Sequence, residues 1–240
     1  LQGVAVGDLL ARIADSSLAR VPLIIAPEQP TAELAQIGAV PLMTPATVAE
    51  LPLSQNEAEM RAMLDQKWRN RLAQSERRNL RISRCEMPDD AGHWLFAADA
   101  AQQAIRGYRA WPVALTLAYG RANPRQSQLF TAYEGNDPVA AMLFLRHGAA
   151  ASYHIGYTTP RGRQSSAHNR LLWQGALWLA RHGHRRLDLG LLDCRNAPGL
   201  ARFKLGTGAA VRRLGGTWGW WPPLGPLLRP LAMLDHARMR

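Results

Sequence analysis

The chain has 240 residues, 47% hydrophobic and 20% charged, a composition that excludes disorder and supplies a core for one large or two small domains. Its 29 Lys and Arg stand against 18 Asp and Glu, a net charge of +11, which points either to a polyanionic partner (nucleic acid, a phosphorylated small molecule, an anionic lipid surface) or to a solvated basic surface. Cys85 and Cys194 lie far apart and outside any C-x-x-C pair, which excludes a disulfide framework and a thiolate zinc site and fits a reducing, cytoplasmic compartment.

No apolar run reaches the roughly 20 residues that span a bilayer. The sequence begins at Leu1 without a signal-peptide pattern, and the expectation is a piece trimmed from a longer protein. In chain order, "GDLLARIADSSLAR" reads as a helix with Asp8 as a cap and Leu9, Leu10, Ile13 and Leu18 on its apolar side. "VPLIIA" reads as a short buried strand, and "PTAELAQIGA" as a helix that stops at Gly38. "VPLMTPATVAELPLS", broken by Pro41, Pro45 and Pro52, suits an edge or irregular strand. Ser54 and Glu57 then form an S-x-x-E capping box for one long helix, with Met60, Met63, Leu64, Trp68 and Leu72 in helical period. The opposite face is basic, carrying Lys67, Arg69, Arg71, Arg77 and Arg78.

A strand near "LRISRCE" and helices in "AGHWLFAADAAQQAIRGYRA" and "PVALTLAYG" lead to three strands with hairpin punctuation, "SQLFTAYE", "VAAMLFLR" and "ASYHIGYT". After them, "TPRGRQSSA" reads as a loop with Ser165 or Ser166 as cap for a helix that runs to Gly183. The strand "RLDLG", a short helix "PGLARFKLG" and a strand through "VRRLGGTW" follow. Helix, strand, helix, strand thus occurs at 8–53 and again at 168–218, an internal parallel that would make the first copy the back half of a duplicated domain.

A strand ending in small and basic residues before a helix N-terminus can hold phosphate, because free N–H groups and the positive end of the dipole face the anion. Arg161, Gly162, Arg163, Gln164, Ser165 and Ser166 have that composition, which also suits a capped turn. Asp188 alternates with leucines in mid-strand and needs a partner or a task if buried. Lys204 follows Phe203; it either snorkels to solvent or, if desolvated, stabilises a developing oxyanion. The histidines form no metal cluster and no G-x-S-x-G elbow occurs. The tail "TWGWWPPLGPLLRPLAML", with Trp218, Trp220 and Trp221, reads either as packed on the body or as a peripheral membrane contact.

"KWRNRLAQSERRNL", the antiparallel strands, "NRLLWQGALWLARHGHRRLDLG" and "GLARFKLGTGA" together resemble the Fem-type branch of the GNAT acyltransferases, which includes peptidoglycan-bridge aminoacyltransferases and a BioF-like acetyltransferase group. The resemblance runs from about Gln66 to Trp218. It implies an α/β fold with an α+β mixed sheet of GNAT type, preceded by a partial second GNAT-like unit: 1–53 for the partial unit, 54–220 for the acyltransferase domain and 221–240 for the tail. It further implies direct transfer of an acyl or aminoacyl group from a donor to an amine of a cell-envelope or polysaccharide precursor, without a metal. The implied catalytic residues are Lys204 and Asp188; Tyr157 and Arg161, Gly162, Arg163, Gln164, Ser165 and Ser166 would hold the donor, and Arg69, Arg77, Arg195 and Phe203 the acceptor or a tRNA. The 161–166 segment lacks the Q/R-x-x-G-x-G/A pattern of acetyl-CoA users, so acyl-CoA and aminoacyl-tRNA both stay open as donors. The expected location is the cytoplasm, including the inner membrane face. The alternative is a noncatalytic GNAT-like module that binds nucleic acid or anionic membrane.

Overall fold

The computed structural model describes residues 6–238. Its first elements are α1 (Val6–Ala14), a 3-10 turn (Ser17–Arg20), β1 (Leu23–Ile25), α2 (Glu33–Gln36), β2 (Val40–Met43) and β3 (Thr47–Pro52). α2 ends at Gly38, whose φ of +79° only glycine adopts freely, and a Cβ there would stand 1.9 Å from the carbonyl oxygen of Gly225.

The helix expected over the next stretch is two helices. α3 (Glu57–Met63) is capped by Asn56 and not by Ser54, because the Asn56 side chain accepts from the amides of Ala58 and Glu59; Ser54 Oγ instead accepts from Asn56 N and donates to Glu59. Leu64 is extended (φ −65°, ψ 137°) and breaks the helix, after which Asp65 caps α4 (Gln66–Glu76) by accepting from Trp68 N at 2.6 Å. β4 (Leu80–Glu86), α5 (Trp94–Arg106) and α6 (Val113–Ala122) follow, then the hairpin strands β5 (Ser127–Glu134), β6 (Asp137–His147) and β7 (Ala150–Thr158). The expected loop at 160–164 is a short helix, α7 (Pro160–Gln164), capped by Thr159. α8 (Ala167–Arg181), β8 (Arg186–Leu191), α9 (Pro198–Leu205), β9 (Ala210–Arg213), β10 (Thr217–Trp220) and α10 (Gly225–Arg238) complete the chain.

Two compact units result, one formed by 49–211 and the other by the residues up to 48 together with those from 212 onward. The unit formed by 49–211 carries most of a seven-stranded sheet of order β4-β5-β6-β7-β8-β3-β9. Its β4-β5-β6-β7 pairs are antiparallel, whereas β7 and β8 are parallel. β3, expected at an edge, is an interior strand of this sheet. Both faces of β5 and β6 are buried. On one face Phe130, Met142 and Phe144 pack with Leu171, Leu172 and Trp173 of α8 and with Trp68 and Leu72 of α4. On the other, Leu129, Leu143 and Ile155 pack with Leu95 and Phe96 of α5 and Leu117 of α6. Close approach of α8 requires Gly175, where a Cβ would stand 2.5 Å from the Phe144 ring.

The other unit holds a three-stranded sheet of order β1-β10-β2. β1, expected to be buried, is an edge strand with Ile24 76% exposed. Trp218 and Trp220 lie at 2% and 6% exposure in a core with Leu10, Leu34 and Ala232. They therefore pack inside the protein and do not meet a membrane, while Trp221 is exposed and donates its Nε1 hydrogen to Arg20 O. Among the described residues no helix is long and apolar enough to cross a membrane.

Candidate active site

β7 and β8 pair only through Ala150–Arg186, Ala151–Leu187 and Ser152–Asp188, yet they continue to Thr158 and Leu191. Past Ser152 and Asp188 the two strands part. Each bends at an identifiable residue. The β6–β7 register slips between Leu143 and Phe144, which pair with Ile155 and Tyr153, so His154 is an extra residue that bulges β7. In β8, Gly190 takes φ +78°, a left-handed conformation that turns the strand end.

The end of β8 gathers an acid, an amine and an amide. Asp188 Oδ1 accepts from Gly190 N at 2.7 Å, so the carboxylate folds back over its own strand. Lys204 Nζ donates to Leu191 O at 2.7 Å and would lie 3.6 Å from a Cβ on Gly190. Lys204 is only 5% exposed. Burial lowers its pKa from 10.5 to about 8, with the Asp188 charge opposing the shift. α9 starts at Pro198 and sets the lysine by packing on α4: Trp68 Nε1 donates to Phe203 O at 3.0 Å, and the two rings lie 6.0 Å apart. The short helix thus brings Phe203 and Lys204 to opposite ends of one peptide-bond anchor.

α7 and the start of α8 follow β7 directly. Gly162 N donates to Thr159 Oγ1, and a Cβ at Gly162 would stand 2.2 Å from Val139 O, so only glycine lets α7 rest on β6. Ser165 Oγ donates to Arg161 O and Gly162 O instead of capping α8, and Ser166, at φ 53°, turns the chain into α8 without a side-chain cap. Arg161 pairs with Glu134 and Asp137 of the β5–β6 hairpin, while Arg163 and Gln164 are exposed. Tyr157 stands edge-on to Trp94 at 6.1 Å.

Of the expected acceptor residues, Arg69 and Arg77 sit on α4 and its C-terminal cap, and Arg195 in the turn between β8 and α9. Arg69 donates to Leu64 O at 2.9 Å and closes the α3–α4 break. Arg77, with Asn70, Ala73, Gln74 and Arg78, lines an open cavity of about 520 Å³ on α4. Arg195 is exposed in a turn where its backbone amide donates to Asp193.

His168, in the first turn of α8, joins this region without any sequence motif to mark it. Its ring lies 5.8 Å from that of Phe203, and its Nε2 is buried without a hydrogen-bond partner. Burial holds its pKa at about 4, against the pull of the Ala141 and Tyr157 backbones; Arg163 and Arg106 add positive potential from α7 and α5. The imidazole is therefore neutral at physiological pH, and two arginines from separate helices face this helix start. A histidine one residue inside a helix that follows a basic, small-residue segment was the available signal. Among the described residues, no three His, Cys, Asp or Glu side chains gather as a metal site.

Comparison with known proteins agrees with this arrangement of strands. No curated protein matches the sequence. Among solved structures, FemX superposes with a TM-score of 0.71 at 13% identity, covering 92% of this chain and 77% of its own. The C-terminal DUF2156 domain of a predicted lysylphosphatidylglycerol synthetase from Agrobacterium fabrum gives a TM-score of 0.53 at 13% identity, covering 96% of this chain and 77% of its own. At these identities the likeness is one of fold. Residues 50–209, which contain the parted strands, Lys204 and the α7–α8 segment, match the family model described as an acetyltransferase (GNAT) domain, and the chain belongs to that family.

Proposed function

We propose that this GNAT-type N-acyltransferase moves an acyl or aminoacyl group, from acyl-CoA or aminoacyl-tRNA, to an amine of a cell-envelope or polysaccharide precursor at the cytoplasmic side of the membrane. The observation that carries the reading is the opening between β7 and β8 with the buried Lys204 amine fixed at its β8 wall. An extended donor laid in that opening would have its reactive carbonyl near the strand ends, beside an ammonium that retains hydrogens beyond the one given to Leu191. The acceptor amine attacks the carbonyl, and Lys204 stabilises the oxyanion that forms. Asp188 keeps the lysine charged and holds the turned end of β8 through Gly190 N. Donor phosphates would meet Arg163, the α7–α8 segment and Tyr157, with Arg106 of α5 adding positive potential.

The resemblance of the sequence motifs to the Fem-type branch supports an envelope-precursor acceptor, and the fold shared with FemX is consistent with it. Melting curves with coenzyme A, acyl-CoAs and aminoacyl-tRNA, followed by transfer assays on wild type and Lys204→Ala, test the reading. A donor that raises the melting temperature and a folded but inactive Lys204→Ala variant are expected. Full activity in that variant would remove the lysine from the reaction. No shift and no transfer with any donor, alongside salt-sensitive binding to RNA or anionic vesicles, would instead establish a noncatalytic binding module.

A further inference from the structure

Asp99 is a carboxylate at 6% exposure in a chain of net charge +11, and among the described residues it makes no ion pair. Its two oxygens accept from neutral donors, Gln103 Nε2 at 2.7 Å and the Tyr108 hydroxyl at 3.2 Å. Gln102 Nε2 donates to the Tyr108 oxygen at 2.9 Å and to Gly156 O at 3.2 Å. Gly156 belongs to the part of β7 that continues beyond its last pairing with β8. The network therefore ends on the strand that borders the proposed donor opening. The β7 bulge lies beneath it: His154 Nε2 bonds Thr116 Oγ1 at 2.8 Å, and Trp111 stands edge-on to its ring at 4.9 Å.

A carboxylate offers about four lone-pair positions, and here two are used. A buried carboxylate is costly unless a charged or strongly donating partner completes it. The occupant that fits is a cationic N–H donor. The substrate class of the transferase reading has one: a primary amine in water near neutral pH is an ammonium ion, which cannot attack a carbonyl until it loses a proton. Tyr108 is 39% exposed, so its hydroxyl can be reached from outside while it donates inward to Asp99.

We infer that Asp99 and Tyr108 form the site that binds the acceptor's ammonium group and takes its proton. This rests on the transferase reading above. The ammonium passes a proton to the Tyr108 oxygen as the Tyr108 hydrogen passes to Asp99, leaving a neutral amine and a neutral carboxyl. The amine lone pair then forms the N–C bond while the C–S or C–O bond to the donor breaks. The electron pair leaves on the donor's sulfur or oxygen, which takes the surplus proton from the new amide nitrogen, and Asp99 returns its proton to water. The groups facing this pair are Gln102, Gln103 and Arg106 from α5 and Tyr153 and His154 from β7; Arg106 is the cation whose charge acts on Tyr108 and Tyr153, and His154 stays neutral through burial.

Two measurements on the full chain test the site. In protein labelled at the Asp carboxyl carbon, with the Asp99 signal assigned by Asp99→Asn, butylammonium should shift that signal. Butyltrimethylammonium, equal in charge but without N–H, should not. In transfer assays with butylamine as acceptor, Asp99→Asn keeps the shape of the side chain and should melt near wild type. Its activity should be lost at neutral pH and rise by about tenfold per pH unit up to about pH 8, above which loss of the Lys204 charge offsets the further gain in free amine. Tyr108→Phe should show the same rise. A carboxyl signal indifferent to butylammonium, or an Asp99→Asn variant with the wild-type pH profile, overturns the proposal. Wild type that shifts its Asp99 signal but transfers nothing from either donor would overturn the transferase reading and the proton step with it, and leave the ammonium site standing.

Discussion

Lys204 Nζ lies 2.7 Å from the carbonyl oxygen of Leu191, the last residue of β8. The amine is thereby tied to the strand that forms one wall of the opening, and burial lowers its pKa to about 8. If its charge stabilises the oxyanion, kcat/KM should fall as pH rises through about 8, because the cation is lost there. Lys204→Met should be lower by roughly 10²–10³ at neutral pH, the scale of one lost oxyanion donor, and should lack that alkaline limb. Stability follows the opposite sign. The folded-state pKa lies below the ordinary 10.5, so between about 8 and 10.5 the unfolded chain binds more protons, and stability from this residue rises with pH. Denaturant midpoints of wild type relative to Lys204→Met should rise over that window; a constant difference would show that the amine is not desolvated in solution.

Asp188 is the charge that opposes the lowering at Lys204. Asp188→Asn keeps an acceptor for Gly190 N but removes that charge, so the alkaline limb should move to lower pH with activity retained on the acid side. Loss of activity at every pH, in a variant that melts like wild type, would make Asp188 the base and contradict the assignment to Asp99 and Tyr108.

Gly162 faces backbone at 2.2 Å, whereas Gly135, at φ +63° in the β5–β6 turn, has nothing within 4 Å of a Cβ. Gly135→Ala should cost about 1 kcal/mol through the left-handed backbone alone. Gly162→Ala should cost about 1–3 kcal/mol by pushing α7 off the sheet, and it should also weaken donor binding. Equal losses in the two variants would mean that α7 does not rest on β6 as described.

These positions mark where the sequence was legible. Turn residues between short apolar runs placed β5 to β7, and a long apolar run between a serine cap and Gly183 placed α8, since both signals are local. Periodicity runs unbroken through Met60, Leu64 and Trp68, so the helix break at Leu64 was hidden; it depends on the Asp65 side chain satisfying an amide of the next turn. α7, Pro-Arg-Gly-Arg-Gln, has no apolar stripe and is helical because Thr159 caps it and Gly162 fits the sheet. Phe203 and Lys204 could be marked from the sequence. Asp99 could not, because within "AADAAQQA" it reads as the solvent face of an amphipathic helix, and its burial comes from Tyr108 and β7, which no helical period encodes. The tryptophans of the tail were ambiguous for the same reason: composition allows an interface or a core, and packing decides.

The turn at Leu64–Asp65 connects the fold to the site. Asp65 caps α4 through Trp68 N, its own amide donates to Gly206 O at 2.9 Å, and Trp68 Nε1 holds Phe203 O at 3.0 Å. The residues on either side of Lys204 at the C-terminal end of α9, Phe203 and the cap Gly206, are therefore bonded to the start of α4. Asn56 caps α3 in the same way, accepting from Ala58 and Glu59 at 3.0 and 3.4 Å, but shows no bond to α9. Asp65→Ala and Asn56→Ala should each cost about 1 kcal/mol of stability, the ordinary worth of an N-cap. Only Asp65→Ala should also lower kcat, with little change in donor affinity, because uncapping loosens the turn of α4 whose Trp68 indole and residue-65 amide hold α9, and lets the lysine drift from the carbonyl it must serve. Chemical denaturation paired with transfer kinetics separates the two effects: if both variants lose stability and kcat alike, α4 does not position Lys204, and the amine must be held by β8 alone.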